Sequence, residues 1–302
     1  MVGVDGGGTR TRAVIVDTTG RVMGRGEYAG AVASVTDPTT AAEAVCGAVR
    51  RAAEEAGVAL PAAALWGGLA GAGSQAARTA VAEALSERGL ADRVVLGTDV
   101  EAAFHHAFGS GPGVLVISGT GSIVWARSEL GEVHRVGGWG RHLGDEGSGF
   151  ALGMQALRRA VRSEDGREPP TALRTGVLDA LGLPSVGDLV AWIDRASKAD
   201  VAALAPLVVG AADRDDAVAA AVVDEAVEEL CAQVLAALAE LADGSGAARM
   251  PEVVLWGGLI AKGGPLRERV ERALARSGVE VCERDLDPPM GAAMLALAVR
   301  SD

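Results

Sequence analysis

Aromatic residues are scarce in this 302-residue chain: three Phe, five Trp and one Tyr make up 3% of it. A core has to be built from Ala, Val and Leu instead. Lysine is nearly absent too, with only Lys198 and Lys262 among 28 basic residues. That bias reads as codon usage, not as a nucleic-acid signature. Net charge is −12, and the sequence has no basic patch or stripe, so the electrostatic footprint of a nucleic-acid partner is missing. The three cysteines, Cys46, Cys231 and Cys282, are odd in number, far apart and outside any CxxC pair. They suggest reduced, packed thiols in a cytoplasmic protein and no disulfide framework. Asp and Glu interrupt every long Ala/Val/Leu stretch, so no apolar run is long enough to span a bilayer, and no membrane partner is expected. Met1-Val2-Gly3-Val4-Asp5 carries neither a basic leader nor an apolar signal core.

What is present is the balance of a globular protein, 49% hydrophobic and 23% charged, with length enough for two domains. The chain opens with strand patterns at 2–5, 12–17 and 21–27, separated by a glycine turn and by Thr18-Thr19-Gly20. A helix is predicted over 40–56, where Ala44, Ala48, Val49 and Ala52 share a face. A strand over 63–69, a helix over 75–88, a short strand over 93–96 and a helix after Asp99 follow. From Gly113 the opening pattern restarts: strand 114–118, glycine turn, strand 123–127, turn at Gly131-Glu132, strand 133–136. We read this as an internal duplication of two open α/β units with a cleft between them. Residues 146–243 are mostly helical by periodicity. A strand over 253–256 ends in Gly257-Gly258, Gly263-Gly264-Pro265 is expected to start a helix, 279–282 reads as an edge strand, and a last helix near 290–299 is expected to return to the first domain.

Five segments carry candidate chemistry. Asp5-Gly6-Gly7-Gly8-Thr9 lies between two strands; its glycines allow backbone N–H groups to approach an anion, Thr9 adds a hydroxyl, and Asp5 is placed to hold Mg²⁺ through water. An ordinary glycine-rich hairpin explains the same residues. It is not a Walker A loop, because no Gly-Lys-Ser/Thr follows, nor a dinucleotide fingerprint, because a strand follows it. Ser118-Gly119-Thr120-Gly121-Ser122 is its counterpart in the second half, and the pairing of the two hairpins argues against chance. Gly97-Thr98-Asp99 ends a strand and starts a helix, where a carboxylate lies near a ligand crevice but where Thr98 or Asp99 also serves as an ordinary helix cap. Gly137-Gly138-Trp139-Gly140 and Gly144-Asp145-Glu146-Gly147-Ser148 form a glycine cluster whose entropic cost is explained by close approach to a ligand. Of its two acids, Asp145 reads as functional and Glu146 as structural. Leu255-Trp256-Gly257-Gly258-Leu259 is a weak site for a flat base. His105 and His106 lack the neighbours of a metal site, and no Gly-x-Ser-x-Gly elbow is present.

In this order the motifs resemble the N-acetylglucosamine kinase branch of the BadF/BadG/BcrA/BcrD ATPase family, within the actin, hexokinase and Hsp70 superfamily. The likeness covers nearly the whole chain, and the stretch from Gly137 to Ser148 is its most specific part. It implies two ribonuclease H-like (actin-like ATPase) domains with an interdomain cleft: residues 1–107 with a C-terminal helix 288–302 packed back on them, and residues 108–287 with a helical insertion. It implies transfer of a phosphoryl group from ATP, with Mg²⁺, to a sugar, and a homodimer. By position, Asp99 matches the catalytic base, while Ser34, Thr120, Ser122, Gly138, Trp139 and Asp145 match the sugar-contacting region. Gly6, Gly7, Gly8, Thr9, Arg10, Gly119, Thr120, Gly121, Gly257 and Gly258 match nucleotide contacts. The family's usual sugar-contacting Asn is replaced here by Gly30-Ala31-Val32-Ala33-Ser34, leaving glucosamine, N-acetylglucosamine and related amino sugars all open. A dehydratase activator, whose Fe–S cluster needs thiolates at fixed spacing, and a non-catalytic sugar sensor are the rival readings.

Overall fold

The computed structural model describes residues 1–245 and 250–300. The chain divides into two compact units, Met1–Ser110 with Asp285–Asp302, and Gly111–Arg284. Of the expected helix 288–302, residues 301–302 lie outside the described residues.

Among the described residues, the first unit holds a five-stranded sheet ordered β3-β2-β1-β4-β5. Its strands are β1 Val2–Gly6, β2 Arg10–Val16, β3 Val22–Ala29, β4 Ala62–Leu69 and β5 Ala91–Gly97. The first three run antiparallel, and β1, β4 and β5 are parallel. The helices of this part of the chain are α1 Pro38–Ala56, α2 Gln75–Ser86 and α3 Asp99–Phe108. Helix α1 is capped by Asp37, which accepts from the Thr40 N–H, and ends at Gly57 in the left-handed region. Its buried stripe of Ala41, Ala44, Val45, Ala48, Val49 and Ala52 covers one sheet face together with Val2, Val4, Ile15 and Leu65. Small residues serve here because they let helix and sheet approach closely, which compensates for the lack of aromatic bulk.

The second unit repeats the plan with β6 Gly113–Ser118, β7 Ser122–Arg127 and β8 Val133–Gly137. Next come α4 Gly149–Glu164, α5 Ala172–Leu181, α6 Leu189–Ile193, α7 Lys198–Ala202, α8 Ala205–Ala212 and α9 Ala217–Ser245. Strand β9 Val253–Trp256, helix α10 Arg267–Arg276 and strand β10 Val281–Cys282 complete it. Its sheet order, β10-β9-β6-β7-β8, is that of the first sheet with each strand replaced by its counterpart, and the parallel and antiparallel pairings repeat. The duplication read from the two glycine hairpins is thus a duplication of topology. The core gathers Val114, Val116, Val124, Leu152, Leu230 and Leu255 under the long helix α9.

Two boundaries differ from expectation. Helix α10 begins at Arg267, because Gly263, Gly264 and Pro265 form the turn that precedes it. The edge strand shrinks to Val281–Cys282. The last helix, α11 Pro288–Arg300, belongs to the first unit. Ala292 and Ala296 pack with Ala64, Trp66 and Ala102 on the sheet face opposite α1. The approach is so close that a Cβ on Gly3 would stand 2.1 Å from the Pro289 carbonyl oxygen and 2.2 Å from the Ala293 nitrogen.

Candidate active site

In the first unit, β1 and β2 are joined by a tight turn at Gly7, Gly8 and Thr9, closed by the Gly7 N–H donating to the Arg10 carbonyl at 2.9 Å. Gly6 is buried, while Gly8, Thr9 and Arg10 are exposed. A hairpin of this length sets Asp5 directly opposite Arg12, and the Arg12 guanidinium reaches the Asp5 carboxylate at 2.6 Å. Burial nevertheless raises the Asp5 pKa; Arg12 pulls it back, and the Asp287 charge adds to the rise.

Asp99 opens α3, but it is not the cap. Thr98 takes that role: its hydroxyl accepts from the Glu101 N–H, and the Glu101 carboxylate accepts from the Thr98 N–H at 2.6 Å, a complete capping box. Asp99 is left half-buried, its carboxylate accepting from the adjacent Val100 N–H at 3.1 Å. Desolvation first, and the Asp5 charge second, raise its pKa to about 6. A carboxylate so tuned still ionises at neutral pH and is basic enough to accept a proton. Asp5 and Asp99, close enough to repel, also form a donor set of the kind Mg²⁺ takes when it keeps most of its waters. Among the described residues, no group of three or more His, Cys, Asp or Glu forms a fuller cage.

Ser34 lies in the same unit, in the turn before α1. Its Oγ accepts from the Thr36 and Asp37 N–H groups and lies 3.0 Å from the Thr36 hydroxyl. Local turn geometry already employs that hydroxyl.

In the second unit, the β6–β7 hairpin is the point on which the other motifs converge. Ser118 and Ser122, at its two ends, are buried and donate to the carbonyls of Gly147 and Glu146, at 2.7 and 2.6 Å. The Gly149 and Phe150 N–H groups at the start of α4 donate to the Gly119 and Thr120 carbonyls. The hairpin therefore sits on the electropositive end of α4. Thr120 is exposed and Gly121 partly so. Gly257 and Gly258 arrive beside the same hairpin: the Leu259 N–H donates to the Ser118 carbonyl at 3.1 Å. Gly257 has φ +100°, and a Cβ there would stand 2.3 Å from the Ser118 carbonyl oxygen.

Asp145 is buried, with φ +63°, a left-handed conformation unusual outside glycine that Asp tolerates better than most residues. Its Oδ1 faces the Ser122 N–H at 3.5 Å and its Oδ2 meets the Lys198 ammonium at 2.7 Å. Gly138, also left-handed, packs beside Ile123. Trp139 is exposed, with the Arg135 guanidinium over its ring at 4.1 Å from the centroid.

In the first unit Asp5 and Asp99 thus lie near one another, and in the second the β6–β7 hairpin meets Asp145, Glu146, Gly147 and Gly257, while the Ser34 hydroxyl meets Thr36 and Asp37 and the Trp139 ring meets Arg135. The structure also adds two that motifs missed. Arg12 had a usable signal, since a hairpin closing over residues 7–9 pairs position 5 with position 12. Lys198 had none: it opens a short helix far along the chain and reaches Asp145 only through the packing of α7 on α4.

The model of the BadF/BadG/BcrA/BcrD ATPase family matches residues 2–296. An N-acetylmuramic acid/N-acetylglucosamine kinase of Clostridium acetobutylicum is 35% identical over 171 residues. That match spans 56% of this chain and 56% of the relative, about half the length of each. The N-acetyl-D-glucosamine kinase of Dictyostelium discoideum is 27% identical over 98% of this chain and 97% of its own. Among solved structures, a candidate N-acetylglucosamine kinase from Chromobacterium violaceum is 31% identical, with a TM-score of 0.82 over 98% of both chains.

Proposed function

This chain belongs to the BadF/BadG/BcrA/BcrD ATPase family, and from that premise we propose that it is an ATP-dependent amino-sugar kinase. It transfers the γ-phosphoryl group of ATP to a hydroxyl of N-acetylglucosamine or glucosamine, the one on C6. The observation that carries the reading is Asp99: a half-buried carboxylate, relieved of capping by Thr98, with its pKa raised to about 6. Relatives bearing kinase names along the length of the chain support it.

In this reading Asp99 orients the sugar hydroxyl and accepts its proton as the phosphoryl group moves. The N–H groups of Gly8 and Arg10, with the Thr9 hydroxyl, take phosphate oxygens, as do those of Thr120 and Gly121; Gly6, Gly7 and Gly119 shape the two turns, the Gly7 and Gly119 N–H groups being committed to the Arg10 and Gly121 carbonyls. Gly257 and Gly258 leave room for the nucleoside. Thr120, Gly138, Trp139 and Asp145 hold the sugar; Ser122 supports them from beneath, because its hydroxyl is committed to the Glu146 carbonyl. Ser34 contributes from its turn. Mg²⁺, held through water by Asp5 with Asp99 nearby, supplies neutralisation of phosphate charge when bound. Positioning and electrostatics supply most of the rate in such chemistry. A homodimer in the cytoplasm completes the reading. Among the described residues, no single helix is long and apolar enough to cross a membrane.

The thiols do not favour an Fe–S activator. Cys46 and Cys231 are buried in α1 and α9, where burial pushes both pKa values up and keeps them protonated. A coupled ADP-release assay across amino sugars and plain hexoses tests the proposal. ADP release dependent on an amino sugar is expected; none with any amino sugar refutes it.

A further inference from the structure

We propose that Lys198 is a positioning residue for the sugar end of the site, acting through Asp145; this rests on the kinase reading above. Asp145 is 3% exposed and its backbone is held in the left-handed region. A carboxylate so enclosed needs polar partners to offset its lost hydration and fix its orientation. Among the described residues, the cation it pairs with is Lys198, at 2.7 Å from Oδ2.

Three features make this contact more than a surface pair. First, the ammonium and the carboxylate fill the space beside the hairpin: a Cβ on Gly121 would stand 2.7 Å from the Lys198 Nζ and 2.9 Å from the Asp145 Oδ1. Pair and turn therefore pack as one body. Second, the backbone bearing Lys198 is fixed. Ser197 caps α7 in a capping box closed by Asp200. Gly153 of α4 lies so close to α7 that a Cβ there would meet the Val201 carbonyl oxygen at 2.0 Å. Helix α4 in turn starts just after the Asp145 loop, with Ser148 as its cap. Third, the chain uses arginine for nearly every other cation, whereas this position holds the compact ammonium that fits beside Gly121.

Lys198 thus holds Asp145 in one orientation, so that an incoming sugar hydroxyl meets a fixed acceptor. Lys198 need not touch the sugar itself. Steady-state kinetics of wild type, Lys198→Met, Lys198→Arg, Asp145→Asn and the Met/Asn double variant test this, with both substrates varied. K198M should raise the sugar KM about 10- to 100-fold, the scale of a hydrogen bond to a charged group, and leave the ATP KM within about threefold. K198R, which keeps the charge but not the compact ammonium beside Gly121, should fall between wild type and K198M, and the double variant should be no worse than D145N alone. A K198M enzyme with lower kcat and Tm but unchanged sugar KM makes Lys198 merely structural and overturns the proposal. A rise in ATP KM instead of sugar KM overturns it in favour of a phosphate contact. Wild-type protein with no amino-sugar-dependent turnover removes the kinase reading first, and this proposal with it.

Discussion

Asp99→Asn removes a carboxylate whose pKa stands at about 6 against an ordinary 3.8. The gap, about 6 minus 3.8, is roughly 2 units, which at about 1.4 kcal/mol per unit amounts to at most about 3 kcal/mol. The sign follows from the proton. The folded state binds it more tightly than the unfolded chain does, so this group's favourable contribution is fully present below pH 3.8 and is lost as pH rises through about 6. At neutral pH the fold carries the cost of an ionised, half-buried acid next to Asp5. Asn carries no charge, so the variant should melt several degrees above wild type near pH 7.5, with the two curves converging near pH 4. Turnover should fall in the same protein by about 10²- to 10⁴-fold, the usual weight of a general base, while sugar affinity by calorimetry holds nearly constant. Stability gained and activity lost together mark a group selected for chemistry. Thermal melts from pH 4 to 8 and coupled ADP release provide both readouts. A variant that melts below wild type at pH 7.5, or that turns over near the wild-type rate, refutes the reasoning. The first outcome assigns Asp99 a structural duty, and the second assigns the proton to another group.

Wild-type kcat/KM should decline below pH about 6 with a slope of one proton, as Asp99 becomes protonated, and a flat profile down to pH 5 would contradict that assignment. Gly257→Ala forces a Cβ to 2.3 Å from the Ser118 carbonyl at a φ of +100°; it should lower stability by about 2 kcal/mol or more and raise the KM for ATP, read by melting and kinetics. Gly3→Ala places a methyl 2.1 Å from the Pro289 carbonyl oxygen, so α11 should loosen and become sensitive to limited proteolysis, with a stability loss of about 1–3 kcal/mol. Chelation by EDTA should abolish ADP release and added Mg²⁺ should restore it, as phosphoryl transfer through carboxylates and backbone amides alone leaves phosphate charge uncompensated.

Much of this was written in short-range pattern. Alternating and continuous apolar runs, punctuated by glycine at 6–8 and again at 119 and 121, set the strand–turn–strand opening of both units. The cross-strand pair Asp5–Arg12 follows from hairpin length alone. The Thr98–Glu101 capping box lies within four residues, so the choice between Thr98 and Asp99 as cap was open only because both residue types cap helices well. Helix starts were less legible. Gly263, Gly264 and Pro265 suit both a helix entry and the turn before it, and the turn was formed. The hydroxyls of Ser34 and Ser122 look alike in sequence, yet one is held by a turn and the other by the Glu146 carbonyl.

The amino-acid order by itself determined which segments turn, which strands pair with their neighbours and where the glycine-rich hairpins stand, because those outcomes depend on contacts a few residues apart. Tertiary packing alone decided that α11 closes on β1, that a lone lysine secures Asp145, and that Asp99 loses enough water to shift its pKa to about 6. Burial and long-range charge are properties of the assembled fold, set by atoms distant in the chain, and no local pattern encodes them.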